Sequence, residues 1–136
     1  MANKTNELSI RIVKFVGRVI KLVDAVKVSF AGKKIADQLV RSSTSVGANY
    51  EEAHGTGSRA DFINKLQIAL KEARETRYWL SVVLESGLAL EFSLEPLVDE
   101  SNQLCKILGK SVATARGTGK MKNDKRQTLN AKYLNL

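Results

Sequence analysis

Residues 58–86 read SRADFINKLQIALKEARETRYWLSVVLES, and the spacing of their apolar side chains decides the fold. At 100° per residue, Phe62, Ile63, Leu66, Ala69, Leu70, Ala73, Leu80, Val83 and Leu84 share one broad arc, the pattern of a long helix facing a core. Ser58 and Asp61 stand three apart as a capping box, and Gly87 is placed to end the last turn. A second, narrower stripe holds Ile68, Trp79 and Val82, interleaved with Glu72 and Glu75. One bundle core uses one helix face, so this stripe is expected to form a subunit interface. The competing reading has Trp79 lying merely against a neighbouring loop.

Three further amphipathic segments surround this helix. Thr5–Val28 carries the core stripe Leu8, Ile12, Phe15, Val19, Leu22 and Val26, widened by Val13, Val16, Ile20 and Val23. Its opposite side gathers Arg11, Lys14, Arg18 and Lys21 in one basic stripe, which can track phosphates or serve as an ordinary solvated face. Phe30, Ala31 and Gly32 read as the break before Lys33–His54, whose core side is Ile35, Leu39, Val46, Tyr50 and Ala53. The run RSSTSVG at 41–47 is poor in helix propensity, so packing must hold it helical. Ala36, Ser43 and Gly47 lie on its inward edge, where a neighbouring backbone can approach closely. Arg41, Asn49 and Glu52 are the polar groups expected to join Glu72 or Glu75 in a network whose pairings the sequence leaves open. Ser93 is read as the cap of a fourth helix, with Phe92 placed to staple against Leu97 and Pro96 in the first turn. That helix carries Leu94, Leu97, Val98, Leu104, Cys105, Leu108 and Val112 on its core face.

Four helices with short connections imply an all-α, antiparallel up-down-up-down bundle over residues 1–114, followed by a basic tail at 115–136. The net charge is +8, and the tail supplies +5 of it through Arg116, Lys120, Lys122, Lys125, Arg126 and Lys132 against Asp124. Such a balance favours nucleic acid as partner, ahead of an anionic membrane or an acidic protein. A single cysteine excludes an internal disulfide, and the chain has neither a signal peptide nor a long apolar run, so a cytoplasmic location and no membrane association are expected.

Catalytic and cofactor chemistry finds little footing. Glu51 and His54 have the Glu-x-x-His spacing of di-iron bundles, but such a site needs that motif twice and this chain has one histidine. Cys105 sits in the middle of a core stripe and reads as a small buried hydrophobe rather than a nucleophile. Neither Gly55-Thr56-Gly57-Ser58 nor Gly117-Thr118-Gly119-Lys120 completes a phosphate loop, and neither follows a strand. The expectation is a protein that is not an enzyme and has no catalytic residues, metal or cofactor.

The strings IADQLVRSSTSVGANYEEA (35–53), DFINKLQIALKEARETRYWL (61–80) and LCKIL (104–108) resemble the 23S rRNA intervening-sequence proteins over about residues 5–114. That resemblance implies a four-helix bundle assembled into a homopentamer. It also implies a relation to the accessory variability protein of diversity-generating retroelements, a basic bundle that binds nucleic acid and a reverse transcriptase. The expected function is therefore an oligomeric bundle that binds RNA or DNA through phosphates with little sequence specificity, using the α-helical basic stripe and the tail cations Arg116, Lys120, Lys122, Lys125 and Arg126. The alternative is a scaffold that docks a partner protein, such as a reverse transcriptase or other polymerase.

Overall fold

A computed structural model describes residues 4–117, which form α1 (Lys4–Val26), α2 (Phe30–Ala53), α3 (Arg59–Ser86) and α4 (Glu95–Ala115). The helices pack in sequential order, α1 on α2, α2 on α3 and α3 on α4, and the ring closes where α4 returns to α1. This is the expected up-down-up-down bundle. The closing α1–α4 seam is much the sparsest of the four. No helix among the described residues is long and apolar enough to cross a membrane.

Every one of the six α1 core positions is buried, as are Leu39, Val46, Tyr50 and Ala53 of α2 and Leu97, Leu104, Cys105, Leu108 and Val112 of α4. Leu66, Ala69, Leu70, Ala73, Leu80 and Val83 complete the core from α3. Leu84 does not join them and is exposed. An ideal helix drifts about 20° per heptad against a straight seam. Over the 28 residues of α3 that drift brings Val83 inward and turns Leu84 out.

Two helix starts differ from their expected positions. Phe30, Ala31 and Gly32 are the first turn of α2 rather than a break, because the Ser29 side chain accepts a hydrogen bond from Gly32 N at 2.9 Å and caps the helix three residues earlier. Gly32 is required there by proximity, since a Cβ at that position would lie 1.7 Å from the carbonyl oxygen of Val26. At α4 the cap residue is Leu94 in helical geometry, without a side-chain cap bond, so Ser93 does not cap. Burial of Leu94 in the core sets the register of that turn, and Pro96 removes one of the amide donors a cap would have served.

The other terminal signals appear as expected. Ser58 Oγ accepts from Asp61 N at 3.1 Å, and Gly87 closes α3 in the left-handed region at φ 71°. The serine-rich middle of α2 is helical, with Thr44 bonding back to Val40 O at 2.7 Å and Asn49 to Ser45 O at 2.9 Å. Gly47 receives α1 at close range, with Ile12 Cγ2 3.4 Å from where its Cβ would be.

Candidate nucleic-acid interface

On α1 the heptad spacing that buries Phe15 and Leu22 turns Lys14, Arg18 and Lys21 outward, where all three are exposed. None of the three forms an ion pair with another described residue. Arg11, the first member of the same stripe, is used differently. Its Nε donates to Glu100 Oε2 at 2.7 Å and its Nη2 to Glu100 Oε1 at 2.8 Å, with Gln103 Oε1 at 2.7 Å. This two-pronged pair ties α1 to α4 across the sparse seam and raises the guanidinium pKa, chiefly through the Glu100 hydrogen bond, while burial works in the opposite direction. Arg11 is thus a clamp as well as a member of the basic face.

The α2–α3 seam collects the polar residues expected to form a network. Arg41 Nη1 donates to Glu72 Oε2 at 2.8 Å, and Arg41 also pairs with Glu75. Trp79 Nε1 donates to the same Glu75 carboxylate oxygen at 3.1 Å, and its ring packs against the core cluster. Beneath them, Thr76 and Ser42 share a buried hydrogen bond of 2.8 Å. Ile68 and Val82 are half-buried, and Glu72 is buried. Of the stripe Ile68, Glu72, Glu75, Trp79 and Val82, the two carboxylates are therefore engaged inside the subunit by Arg41 of α2. Asn49 and Glu52 stand apart from this network, Asn49 bonding to Ser45 and Glu52 to Lys65 at 2.7 Å.

At the end of the bundle where α1 and α3 begin and α2 and α4 finish, a groove of about 810 Å³ opens. Leu8, Leu66 and Ile107 line its apolar part, and Arg11, Lys110 and Glu7 its charged part. Three aromatic rings stand together at its wall. His54 meets Tyr50 at 4.7 Å and Phe62 at 5.5 Å between centroids, both edge-on. In the sequence His54 reads as a helix-end residue beside Gly55 with an incomplete metal-ligand spacing, and nothing local links it to Lys110 or Arg11. Below the groove, Arg59 donates to the backbone oxygen of Ala115, and Arg116 reaches the side-chain amide of Gln67. Lys120, Lys122, Lys125 and Arg126 lie outside the described residues.

Exposed apolar side chains concentrate elsewhere. Val28 and Leu90 in the two connections at the opposite end of the bundle, and Phe30 at the start of α2, are each at least 80% exposed, and Ile10, Val13 and Ile20 run along the outside of α1. Cys105 is fully buried, and desolvation raises its pKa, opposed by the nearby positive charges of Arg77 and Arg74. The described residues contain no cluster of three or more His, Cys, Asp or Glu side chains able to hold a metal.

The family model described as 23S rRNA-intervening sequence protein matches residues 4–110. A solved structure, described as a protein of unknown function from the S23 ribosomal protein family of Bacteroides thetaiotaomicron VPI-5482, is 36% identical with a TM-score of 0.70, over 76% of this chain and 96% of that one. No curated protein matches the chain.

Proposed function

The chain belongs to the 23S rRNA-intervening sequence protein family, and from that premise we propose that it is a non-enzymatic, self-associating bundle that binds RNA or DNA through phosphate contacts. The observation that carries this reading is the α1 face itself. Lys14, Arg18 and Lys21 project from one helix, exposed and without ion pairs among the described residues, in a chain of net charge +8. A cation already paired with a carboxylate must give up that partner to meet a phosphate, whereas these three release only water and counterions.

Self-association adds avidity, because repeating a weak basic face around an assembly multiplies its effective affinity. The outward side of α1 favours such contact, with Val13 65% exposed and Gly17 leaving open space beside it. The α3 stripe is the weaker candidate interface, since Trp79 and Glu75 already bond to each other. A homopentamer remains the subunit count proposed from the resemblance.

The test is binding of the full chain to generic single-stranded RNA and duplex DNA across a salt series. Each phosphate contact contributes about 0.9 to the logarithmic salt slope on duplex DNA and about 0.7 on single strands. Reversing Lys14, Arg18 and Lys21 to Glu together is expected to lower the slope by about two to three while leaving the thermal midpoint near that of the wild type. An unchanged slope in a folded triple variant would remove α1 from the interface. The second reading is a docking scaffold for a partner protein, and it rests on Val28, Phe30 and Leu90, which form an exposed apolar end. Absence of nucleic-acid binding near physiological salt would favour it.

A further inference from the structure

We infer that the groove at the open end of the bundle receives an unpaired base of a single-stranded nucleic acid. This rests on the phosphate-binding reading and adds to it a site for the base. The argument starts from what the groove offers a planar solute. Its volume, about 810 Å³, falls in the range of about 300–1,000 Å³ typical of small-molecule sites. His54 is exposed and Phe62 half-buried, so both rings can be reached from solvent, while the buried Tyr50 packs edge-on against His54. Aromatic rings stack on any base, because every base presents a π-face.

The polar groups around the rings suit a nucleotide better than a purely apolar guest. Lys110 is exposed and forms no ion pair with a described residue. It can meet a phosphate while the base lies against the rings. Ser111 uses its hydroxyl hydrogen on Ile107 O at 3.0 Å, which leaves its oxygen free to accept from a base amino group, and the Glu7 carboxylate on the groove's lining can do the same. Arg11 lines the groove and also begins the α1 stripe, so a strand whose base enters here continues past Lys14 and Arg18 along the same helix. The stripe runs about 15 Å from Arg11 to Lys21 at the helical rise.

Pairing state follows from access. Bases in a duplex are stacked and cannot enter a side groove without being flipped out, at a cost in unpairing and unstacking. A single strand offers them directly. The site therefore predicts a preference for single strands that phosphate contacts alone do not produce. It assigns no sequence specificity beyond the size of the groove.

The experiment uses the full chain and fluorescence anisotropy with three labelled probes of equal phosphate count per strand: a single-stranded RNA of mixed sequence, the same RNA in a duplex, and a strand whose internal positions are abasic. The expected result is tighter binding of the intact single strand than of the abasic strand or the duplex, by about tenfold. His54→Ala removes an exposed ring at the end of α2 and is expected to weaken intact single-strand binding about five- to tenfold, with unchanged salt slope and unchanged affinity for the abasic strand. Phe62→Leu keeps most of the buried volume and should act in the same direction. If intact and abasic strands bind equally, or if the folded His54→Ala variant binds like wild type, the groove holds no base and the phosphate reading stands alone. If none of the probes binds, both readings fall together.

Discussion

The α2–α3 seam and the α1–α4 seam are built from the same kinds of residue and do opposite things. Each carries an arginine clamped to carboxylate across two helices. Along α2–α3, Arg41 meets Glu72 and Glu75 above a buried Thr76–Ser42 hydrogen bond, and Trp79 covers one flank. Along α1–α4, Arg11 meets Glu100 where few other contacts join the helices, and a groove opens beside it. In the first seam the charges close the surface, and in the second they hold its edges while leaving it accessible. The lesson is that an ion pair's position in the packing, more than its geometry, decides whether it is structural or leaves a site beside it.

Three substitutions test that contrast. The largest effect is expected from Arg41→Ala, which strands the Glu72 carboxylate at 6% exposure. Because Arg41 itself is half exposed, the loss is smaller than for a fully buried pair, about 2 kcal/mol, read as a lower urea midpoint with unchanged slope. Arg41→Lys should recover only part of it, since one ammonium cannot serve both carboxylates with the fork of a guanidinium. Next comes Thr76→Val, which is nearly isosteric but leaves the buried Ser42 hydroxyl without its interhelical partner. It should cost about 1–2 kcal/mol in the same assay.

The smallest effect is expected from Arg11→Ala. Its side chain is 36% exposed, and an ion pair with solvent access contributes about 0.5–1 kcal/mol. Hydrogen exchange should then rise in the amides of α4 near Gln103 and Ile107 more than in α3, because the weaker seam opens first. Equal losses for Arg41→Ala and Arg11→Ala, with uniform exchange, would show that the two seams do not differ in the way described.

Much of the bundle was legible in the residues. The core stripes of α1 and α4 reproduce the periodic positions, and the capping serine and terminal glycine of α3 fall where their chemistry requires. The misplacements have specific causes. Gly32 looks like a helix breaker, but its missing side chain accommodates the carbonyl of Val26, a contact between residues in different helices. Leu84 fits the helical period and misses the core because drift accumulates along α3. The α3 stripe of Ile68, Trp79 and Val82 was visible as a second apolar face, yet periodicity does not say that Trp79 bonds to a carboxylate already held by Arg41 of α2. The groove was the least legible feature, since Leu8, Tyr50, Phe62 and Lys110 come from four different helices and share no local pattern.

The number of helices, their order and their inward faces are determined by the sequence alone, because the 3.6-residue period is a property of each segment by itself. The overall charge and its concentration in the last 22 residues are equally matters of composition. Which charges are spent and which remain available belongs to tertiary structure. Arg11 and Lys14 look alike along α1, and only the arrival of Glu100 from α4 makes one a clamp and leaves the other facing solvent. The same holds for the aromatic wall of the groove, which exists because packing brings the end of α2, the start of α3 and the sparse α1–α4 seam to one end of the bundle.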